Sequence, residues 1–168
     1  MGQALNDEAL REALLAYLGE HNTMAIASTA GDQPWAATIF YAHRDFLLYF
    51  LSSPDSRHCR ELAANPRMAA TVTEDYQDWR FIKGVQLEGV VHPVSSRQER
   101  ALALAAYVAK FPFVAAFFPA GSWRLSRLTI GGRAVSVRLY KVVPHRLLLL
   151  DNEKGFHHRE ELLVLKGG

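Results

Sequence analysis

Cysteine is almost absent from this sequence, since Cys59 is the single one among 168 residues. An intrachain disulfide is therefore impossible, which is typical of proteins that work in a reducing compartment. The segment from Met1 to Glu20 carries acidic side chains and no apolar block of the kind that directs secretion, so no signal peptide is expected. These features predict a cytoplasmic protein.

Long apolar runs are missing as well. The longest, Phe111 to Gly121, contains two prolines and is too short to span a bilayer, so we expect no membrane partner. The formal net charge of +2 is too small to indicate a nucleic-acid partner. With 49% hydrophobic and 21% charged residues, and without a repeat or linker, the chain is expected to form one domain over residues 1–168.

Helix caps and amphipathic spacing predict three short helices, near residues 6–19, 54–64 and 95–110. Runs of β-forming residues between turn signals predict the strands. These strands are Thr23 to Thr29, Pro34 to Tyr41, Phe46 to Leu51, Arg67 to Thr73, Phe81 to Val94, Ser122 to Ile130, Ala134 to Val143 and Arg146 to Leu150. Tight turns between consecutive strands favour antiparallel pairing, so the pattern predicts a mainly β (α+β) protein whose sheet forms a barrel.

The segment from Leu48 to Val72 carries the most chemistry. It places Ser52, Ser56, Arg57 and His58 at the end of an apolar strand and in the first turn of a helix. Hydroxyls, a guanidinium and free helix amides converge at such a point, so a phosphate would be well held there. A second interpretation stays open, in which Ser53 or Asp55 only caps the helix and the arginines are solvated.

The order of these segments resembles that of a known family. Ser56-Arg57-His58 lies between a strand and a helix, Asn65 to Met68 (NPRM) opens the next strand, and Lys83 to Gly89 (KGVQLEG) lies in a long strand. A Pro34-Trp35 start to the second strand precedes them. Taken together, these segments are similar to those of the pyridoxamine 5'-phosphate oxidase-like proteins that bind FMN on a six-stranded antiparallel split β-barrel with flanking short helices.

The resemblance implies an FMN-dependent oxidoreductase that acts on a small molecule, and a homodimer whose flavins lie between two barrels. A non-enzymatic flavin carrier or sensor, or an F420 or haem binder on the same barrel, stays open. The residues that the resemblance implies in cofactor binding are Ala36, Ala37, Thr38, Ile39, Leu51, Ser52, Ser56, Arg57, His58, Trp79, Lys83, Val85, Gln86 and Trp123.

Within that set the resemblance assigns different parts of the flavin to different segments. Ser56, Arg57 and His58 would contact the phosphate. The backbone of residues 36–39 would run beside the isoalloxazine, and Leu51-Ser52 would lie under the ring. The residues from 83 to 86 would approach from the fifth strand, with Trp79, or Trp123 of the second subunit, as aromatic cover.

Three departures from the family pattern set limits on the reaction. His58 stands where many relatives have lysine, so a fixed charge becomes dependent on pH. Ala36-Ala37 stands where the true oxidases present an arginine, and the late Arg-Leu-His-Asp-Arg motif is missing. The sequence therefore does not indicate oxidation of vitamin B6, although it still indicates a flavin.

Other chemistry is less well supported by the sequence. The seven histidines lack the spacing of metal ligands, so no metal site is expected. Cys59 next to His58 is a candidate reactive thiol, although a lone cysteine is more often a small buried apolar side chain. The apolar segment from Phe111 to Phe118 is expected to lie in the dimer interface or over the flavin. No residue has the character of an indispensable acid or base, and the catalytic residues stay unknown.

Overall fold

The computed structural model describes residues 6–117, 128–130 and 133–164. Its three α-helices are α1 (Asp7–Glu20), α2 (Arg57–Ala64) and α3 (Arg97–Lys110). All three predicted helices are confirmed, with bounds that shift by less than one turn. Each begins after a side chain that accepts a hydrogen bond from the first turn, and for α2 this cap is Ser56. The expectation that Ser53 or Asp55 caps this helix is wrong, because the chain turns once more before α2 starts.

Ten strands lie in the described part of the chain. They are β1 (Thr23–Ala30), β2 (Gln33–Phe40), β3 (Ala42–Arg44), β4 (Leu47–Ser52), β5 (Arg67–Thr73), β6 (Lys83–Pro93), β7 (Leu128–Ile130), β8 (Arg133–Val135), β9 (Arg138–Asp151) and β10 (Arg159–Leu163). Three short 3₁₀ turns, Trp79–Phe81, Pro112–Phe117 and Asn152–Lys154, connect some of them. The first five predicted strands match β1, β2, β4, β5 and β6.

The C-terminal strands differ from the prediction. Most of the two predicted strands 134–143 and 146–150 forms one strand, β9, which continues through Pro144. The proline is tolerated because it pairs with Gly89 at a register shift, where β9 carries one extra residue, His145, and the regular ladder is interrupted. The short strands β3 and β10 were not predicted, since three to five residues carry little periodicity. Residues 122–127 of another predicted strand lie outside the described residues.

The main sheet is antiparallel throughout, in the order β2-β1-β5-β6-β9-β4-β3, with β10 also paired to β9. The sheet curls until β2 comes close to β4, although these two strands share no ladder. The gap between β2 and β4 is called the seam below. This architecture is a split barrel, as expected, and it carries two short strands beyond the six that were expected.

The core fills the inside of the curled sheet. Alternation along β1 turns Met24 and Ile26 inward and leaves Ala25 and Ala27 on the outer face. Helix α1 covers one opening with Leu14 and Leu18, which are both fully buried. Burying such a leucine stabilises the fold by about 1.5–3 kcal/mol. The hydroxyl of buried Tyr41 donates to the carbonyl of Leu18 at 2.8 Å, so the helix is also tied to the sheet by a buried polar contact.

Among the described residues, no helix combines the length and the apolar character that crossing a bilayer requires.

Candidate cofactor site

One end of the seam is closed by the start of α2. Strand β4 ends at Ser52, and the chain then turns back through Ser53 into Ser56. The amide of Ser56 donates to the carbonyl of Ser53 at 3.1 Å, and the Ser56 hydroxyl donates to the same oxygen at 2.8 Å. This turn brings the end of β4 and the first turn of α2 together.

Ser52, Ser56 and His58 form a hydroxyl–imidazole cluster at this point. His58 Nε2 lies 2.8 Å from Ser52 Oγ and 3.1 Å from Ser56 Oγ, and the two hydroxyl oxygens are 3.4 Å apart. The imidazole is 8% exposed. The Ser52 hydroxyl can rotate to donate, and Nε2 donates when it carries a proton, whereas the Ser56 hydroxyl already donates to Ser53, so the cluster can offer two donors to an anion.

The backbone adds further hydrogen-bond donors and a partial positive charge to this cluster. Because α2 begins at Arg57, the amides of Arg57 and His58 have no carbonyl partner within the helix. The partial positive charge of the helix dipole is concentrated at the same end. Hydroxyls, an imidazole and free amides therefore meet at one helix start, which is the composition of an anion site.

Arg57 does not lie across this helix start. Its Nε donates to Glu61 Oε1 at 2.7 Å, one helical turn further along α2, and its guanidinium carbon lies 4.4 Å from the centre of the Trp35 ring. Within the described ranges, its two terminal nitrogens donate no hydrogen bond. The guanidinium thus lies between α2 and β2 with one nitrogen engaged and one edge open. The Arg57 side chain is 39% exposed, so the arginine is engaged on two sides and still partly solvated.

Glu61 links this arginine to the inside of the barrel. Glu61 is 8% exposed, and its carboxylate accepts a hydrogen bond from the Ser28 hydroxyl of β1 at 2.7 Å. The hydrogen bonds from Arg57 and then from Ser28 hold the pKa of the Glu61 carboxyl below its usual range. Glu61 is therefore an ionised carboxylate at neutral pH.

Cys59 and Tyr140 lie beneath the hydroxyl–imidazole cluster. Cys59 is buried, and Tyr140 stacks on Phe50 with ring centres 5.1 Å apart. Burial raises the pKa of the Cys59 thiol, but hydrogen bonds with His58, Ser56, Tyr140 and Ser52 more than offset this, so the pKa lies below its ordinary value. Burial, followed by the contact with Cys59, raises the pKa of Tyr140. The floor of the cluster is thus polar.

Strand β2 forms the opposite wall of the seam. Among the described strands it pairs with β1 alone, so along residues 36–39 alternate amides and carbonyls face away from that partner. The side chain of Ile39 is buried, whereas those of Ala36 and Thr38 are exposed. An edge of this kind can hydrogen-bond to the rim of a flat heterocycle through the backbone.

The predicted residues of β6 lie elsewhere in the protomer. Ser52 pairs with Arg138 near the start of β9, whereas Gln86 pairs with Leu148 near its end. At roughly 3.3 Å per residue these positions are roughly 30 Å apart along the strand. The side chain of Val85 is fully buried in the core, and Lys83 Nζ lies 3.5 Å from Asp151 Oδ2. The predicted set therefore divides into two groups within one chain.

The predicted aromatic cover is also separate from the seam. Trp79 lies in the 3₁₀ turn before β6, is 55% exposed and meets Phe156 edge to face at 5.2 Å. Trp123 lies outside the described residues. The apolar segment that begins at Phe111 is only partly exposed. Phe111 and Val114 are buried within this chain, while Phe113 is 57% exposed.

The outer face of the sheet carries a groove of about 400 Å³. Its floor consists of small side chains from β1, β2 and β5, and Gln86, Glu88 and Arg146 stand along it. Arg146 is held by Glu161 and Glu88, each at 3.0 Å. Gln86 therefore faces an open, flat surface and not the seam of its own chain.

Other candidate chemistry finds no assembled site. In the described part of the chain, no group of three or more His, Cys, Asp or Glu side chains lies close enough to hold a metal ion. The neighbours His157 and His158 separate as expected for adjacent residues, because His158 contacts Glu160 at 3.0 Å while His157 packs on Phe156.

Sequence reasoning missed the residues that surround Arg57. Glu61 follows Arg57 by four positions, and this spacing is a recognisable signal for an ion pair on a helix. Ser28 and Trp35 lie on β1 and β2, and nothing in the local sequence connects either of them to α2. Only the curl of the sheet against the helix brings them there.

Known proteins are similar to this chain in sequence or in fold. A UPF0306 protein of Yersinia pseudotuberculosis is 28% identical over 116 residues, which is 68% of this chain and 78% of that protein. A heme binding protein from Mycobacterium smegmatis has a TM-score of 0.67 at 17% identity and covers 94% of this chain and 57% of its own. A FAD-binding protein from Mesorhizobium loti has a TM-score of 0.60 at 18% identity, over 81% and 90% of the two chains. At these identities the two structures show the fold alone.

The sequence also matches the profile of a family. The sequence profile described as pyridoxamine 5'-phosphate oxidase matches residues 10–141. The matched range runs from α1 into β9 and includes both walls of the seam, the hydroxyl–imidazole cluster and the Arg57–Glu61 pair. This chain belongs to the pyridoxamine 5'-phosphate oxidase family.

Proposed function

We propose that this protein binds FMN in the seam and is an oxidoreductase that acts on a small molecule. The observation that carries the proposal is the hydroxyl–imidazole cluster at the start of α2, with the open edge of Arg57 beside it. A phosphate is the anion that this mixture of hydroxyls, amides and a guanidinium suits, since each of its oxygens accepts more than one hydrogen bond. The phosphate would lie between the start of α2 and Arg57.

The walls of the seam suit the rest of the cofactor. An isoalloxazine ring beside residues 36–39 of β2 would meet backbone amides and carbonyls that have no strand partner. Leu51 and Ser52, at the end of β4, would lie on the other side of the ring. When bound, the flavin supplies the hydride or electron chemistry. The chain's own part is to hold the phosphate, present the β2 edge and limit access of water with Trp35 and Leu51.

We further propose a homodimer that completes each site. Gln86 and Lys83 are too far along β9 from Ser52 to reach the same flavin within one chain, but a second barrel packed on the outer face could deliver them. The alanine-floored groove offers a flat area for close approach, with charged groups at its rim.

We also propose a cytoplasmic location, with which the single buried thiol accords.

The spectrum of the purified protein is the first test. Bound FMN gives the yellow two-band spectrum of a flavin, whereas a haem or F420 chromophore gives a different one, and either of these would contradict the proposed cofactor. A bound flavin that NADH or NADPH reduces, and that an added acceptor then reoxidises, would support an oxidoreductase. A flavin that only dithionite bleaches would indicate a carrier or sensor.

The phosphate site is tested by comparing FMN with riboflavin, which lacks the phosphate. Removing a charge-assisted hydrogen bond typically costs about 1.5–3 kcal/mol. Arg57→Ala should therefore raise the Kd for FMN by roughly ten- to a hundredfold and leave riboflavin nearly unchanged. Arg67→Ala is the matched control, because this exposed arginine lies beyond the far end of α2. Equal losses of FMN and riboflavin in Arg57→Ala would place the phosphate elsewhere.

The dimer is tested separately. Light scattering should give twice the monomer mass of 18.8 kDa at micromolar concentration. Gln86→Ala should weaken FMN and riboflavin equally, because Gln86 would approach the ring and not the phosphate. A monomer that binds FMN with full affinity would contradict the shared site.

A further inference from the structure

Arg57 is held on two sides before any ligand arrives. Glu61 accepts from its Nε at 2.7 Å, and the Trp35 ring supports the flat face of the guanidinium at 4.4 Å. An arginine in the first turn of a helix is ordinarily free to adopt many rotamers, and ordering it during binding costs free energy. Here that cost is met when the protein folds.

The Arg57–Glu61 pair differs from an ordinary ion pair on a helix surface. Exposed pairs at this spacing stabilise a helix only slightly and do not fix the side chains. Glu61 is 8% exposed, and the Ser28 hydroxyl of β1 holds its second oxygen at 2.7 Å. The carboxylate is thus anchored to the sheet, so the position of the guanidinium is set by the barrel and not by the helix alone.

The contacts leave one edge of the guanidinium available to a ligand. Glu61 uses Nε, Trp35 covers a flat face, and in the described ranges the terminal nitrogens make no hydrogen bond. The edge that carries these two nitrogens is the one that can bind two oxygens of a phosphate at once. From this geometry we infer that Glu61 and Trp35 are positioning residues, which set the preference of the site for a phosphorylated flavin. The inference rests on the proposed function.

Glu61 also has an electrostatic effect that opposes its positioning effect, and the two effects predict opposite changes in FMN affinity. A carboxylate next to the arginine also repels a phosphate, so removing its charge could strengthen FMN binding. If position dominates, Glu61→Gln, which keeps an oxygen for Arg57 Nε, should retain most of the preference for FMN over riboflavin. Glu61→Leu, which cannot accept a hydrogen bond, should lose it.

The experiment measures Kd for FMN and for riboflavin by titration calorimetry on full-length variants, with the unfolding midpoint of each recorded. The preference for FMN is the Kd for riboflavin divided by the Kd for FMN. In Glu61→Leu this ratio should fall about two- to tenfold, the range expected when an arginine must be ordered during binding. Trp35→Leu should produce a fall of similar size, and Trp35→Phe should restore most of it because an aromatic face remains. Trp35 is 41% exposed, so its replacement leaves the core intact even if Glu61→Leu folds poorly.

Several outcomes would overturn the inference. A stronger preference for FMN in both Glu61 variants would mean that the charge, and not the position, governs the site. Parallel losses of FMN, riboflavin and stability would mean that the two residues only support the fold. An FMN-specific loss in Arg57→Ala, with no change in Glu61→Leu and Trp35→Leu, would leave the proposed phosphate site standing and remove only the positioning role. No FMN-specific loss in Arg57→Ala would overturn both.

Discussion

Gly89 lies where β6 and β9 approach too closely for any side chain. A Cβ at this position would be 2.6 Å from the Val143 carbonyl oxygen and 2.9 Å from Pro144 Cα. Both are backbone atoms of the strand that runs through the middle of the sheet, so neither can rotate away as a side chain would. Gly89→Ala must therefore force the two strands apart at the register shift.

The expected cost follows from that geometry. Overpacking a well-ordered interior typically costs about 1–3 kcal/mol, and a clash with backbone on a central strand places this variant near the upper end. Alanine recovers part of this, since glycine in a strand is about 0.5–1 kcal/mol less favourable than alanine. We expect Gly89→Ala to lower the free energy of unfolding by about 2 kcal/mol.

Urea unfolding followed by tryptophan fluorescence measures this change, at one protein concentration for all variants. Gly19→Ala is the matched control, because a Cβ there would meet only His43 Nε2, at an ordinary 3.6 Å. Gly19 lies in α1, so its replacement should stabilise the protein by up to about 1 kcal/mol. If Gly89→Ala unfolds within about 0.5 kcal/mol of the wild type, the close approach of β6 and β9 is refuted.

Three further measurements test other parts of the fold. Burial lowers the pKa of Lys110 from 10.5 to about 8, so the folded protein releases this proton at a lower pH than the unfolded chain does. The stability of the wild type relative to Lys110→Met should therefore rise between about pH 8 and pH 10.5. Burial raises the pKa of Tyr41, so its contribution is present below about pH 10 and lost above it; the wild type should lose its advantage over Tyr41→Phe in alkaline urea titrations. Ser96 caps α3, and Ser96→Ala should cost about 1 kcal/mol in the same unfolding assay, whereas Ser95→Ala, which removes no cap, should stay within about 0.5 kcal/mol of the wild type.

Local chemistry explains why much of the fold was predictable. The helix caps and the first five strands depend on residues close together in the chain, so their signals are visible in the sequence. Where the prediction was wrong, a tertiary effect decided. The predicted strand stopped at Val143, but the place of Pro144 opposite Gly89, at an interruption of the ladder, lets β9 continue.

The candidate site divides along the same line. The sequence by itself placed Ser52, Ser56, Arg57 and His58 at the end of a strand and the start of a helix, because they lie within seven consecutive residues. It did not determine what Arg57 contacts, nor that residues 83–86 lie far from this helix start. Those facts follow from the curl of the sheet, which brings β1 and β2 against α2 and places Gln86 and Ser52 near opposite ends of β9. Contacts between distant segments depend on how the strands pair and bend, and only the tertiary structure decides that.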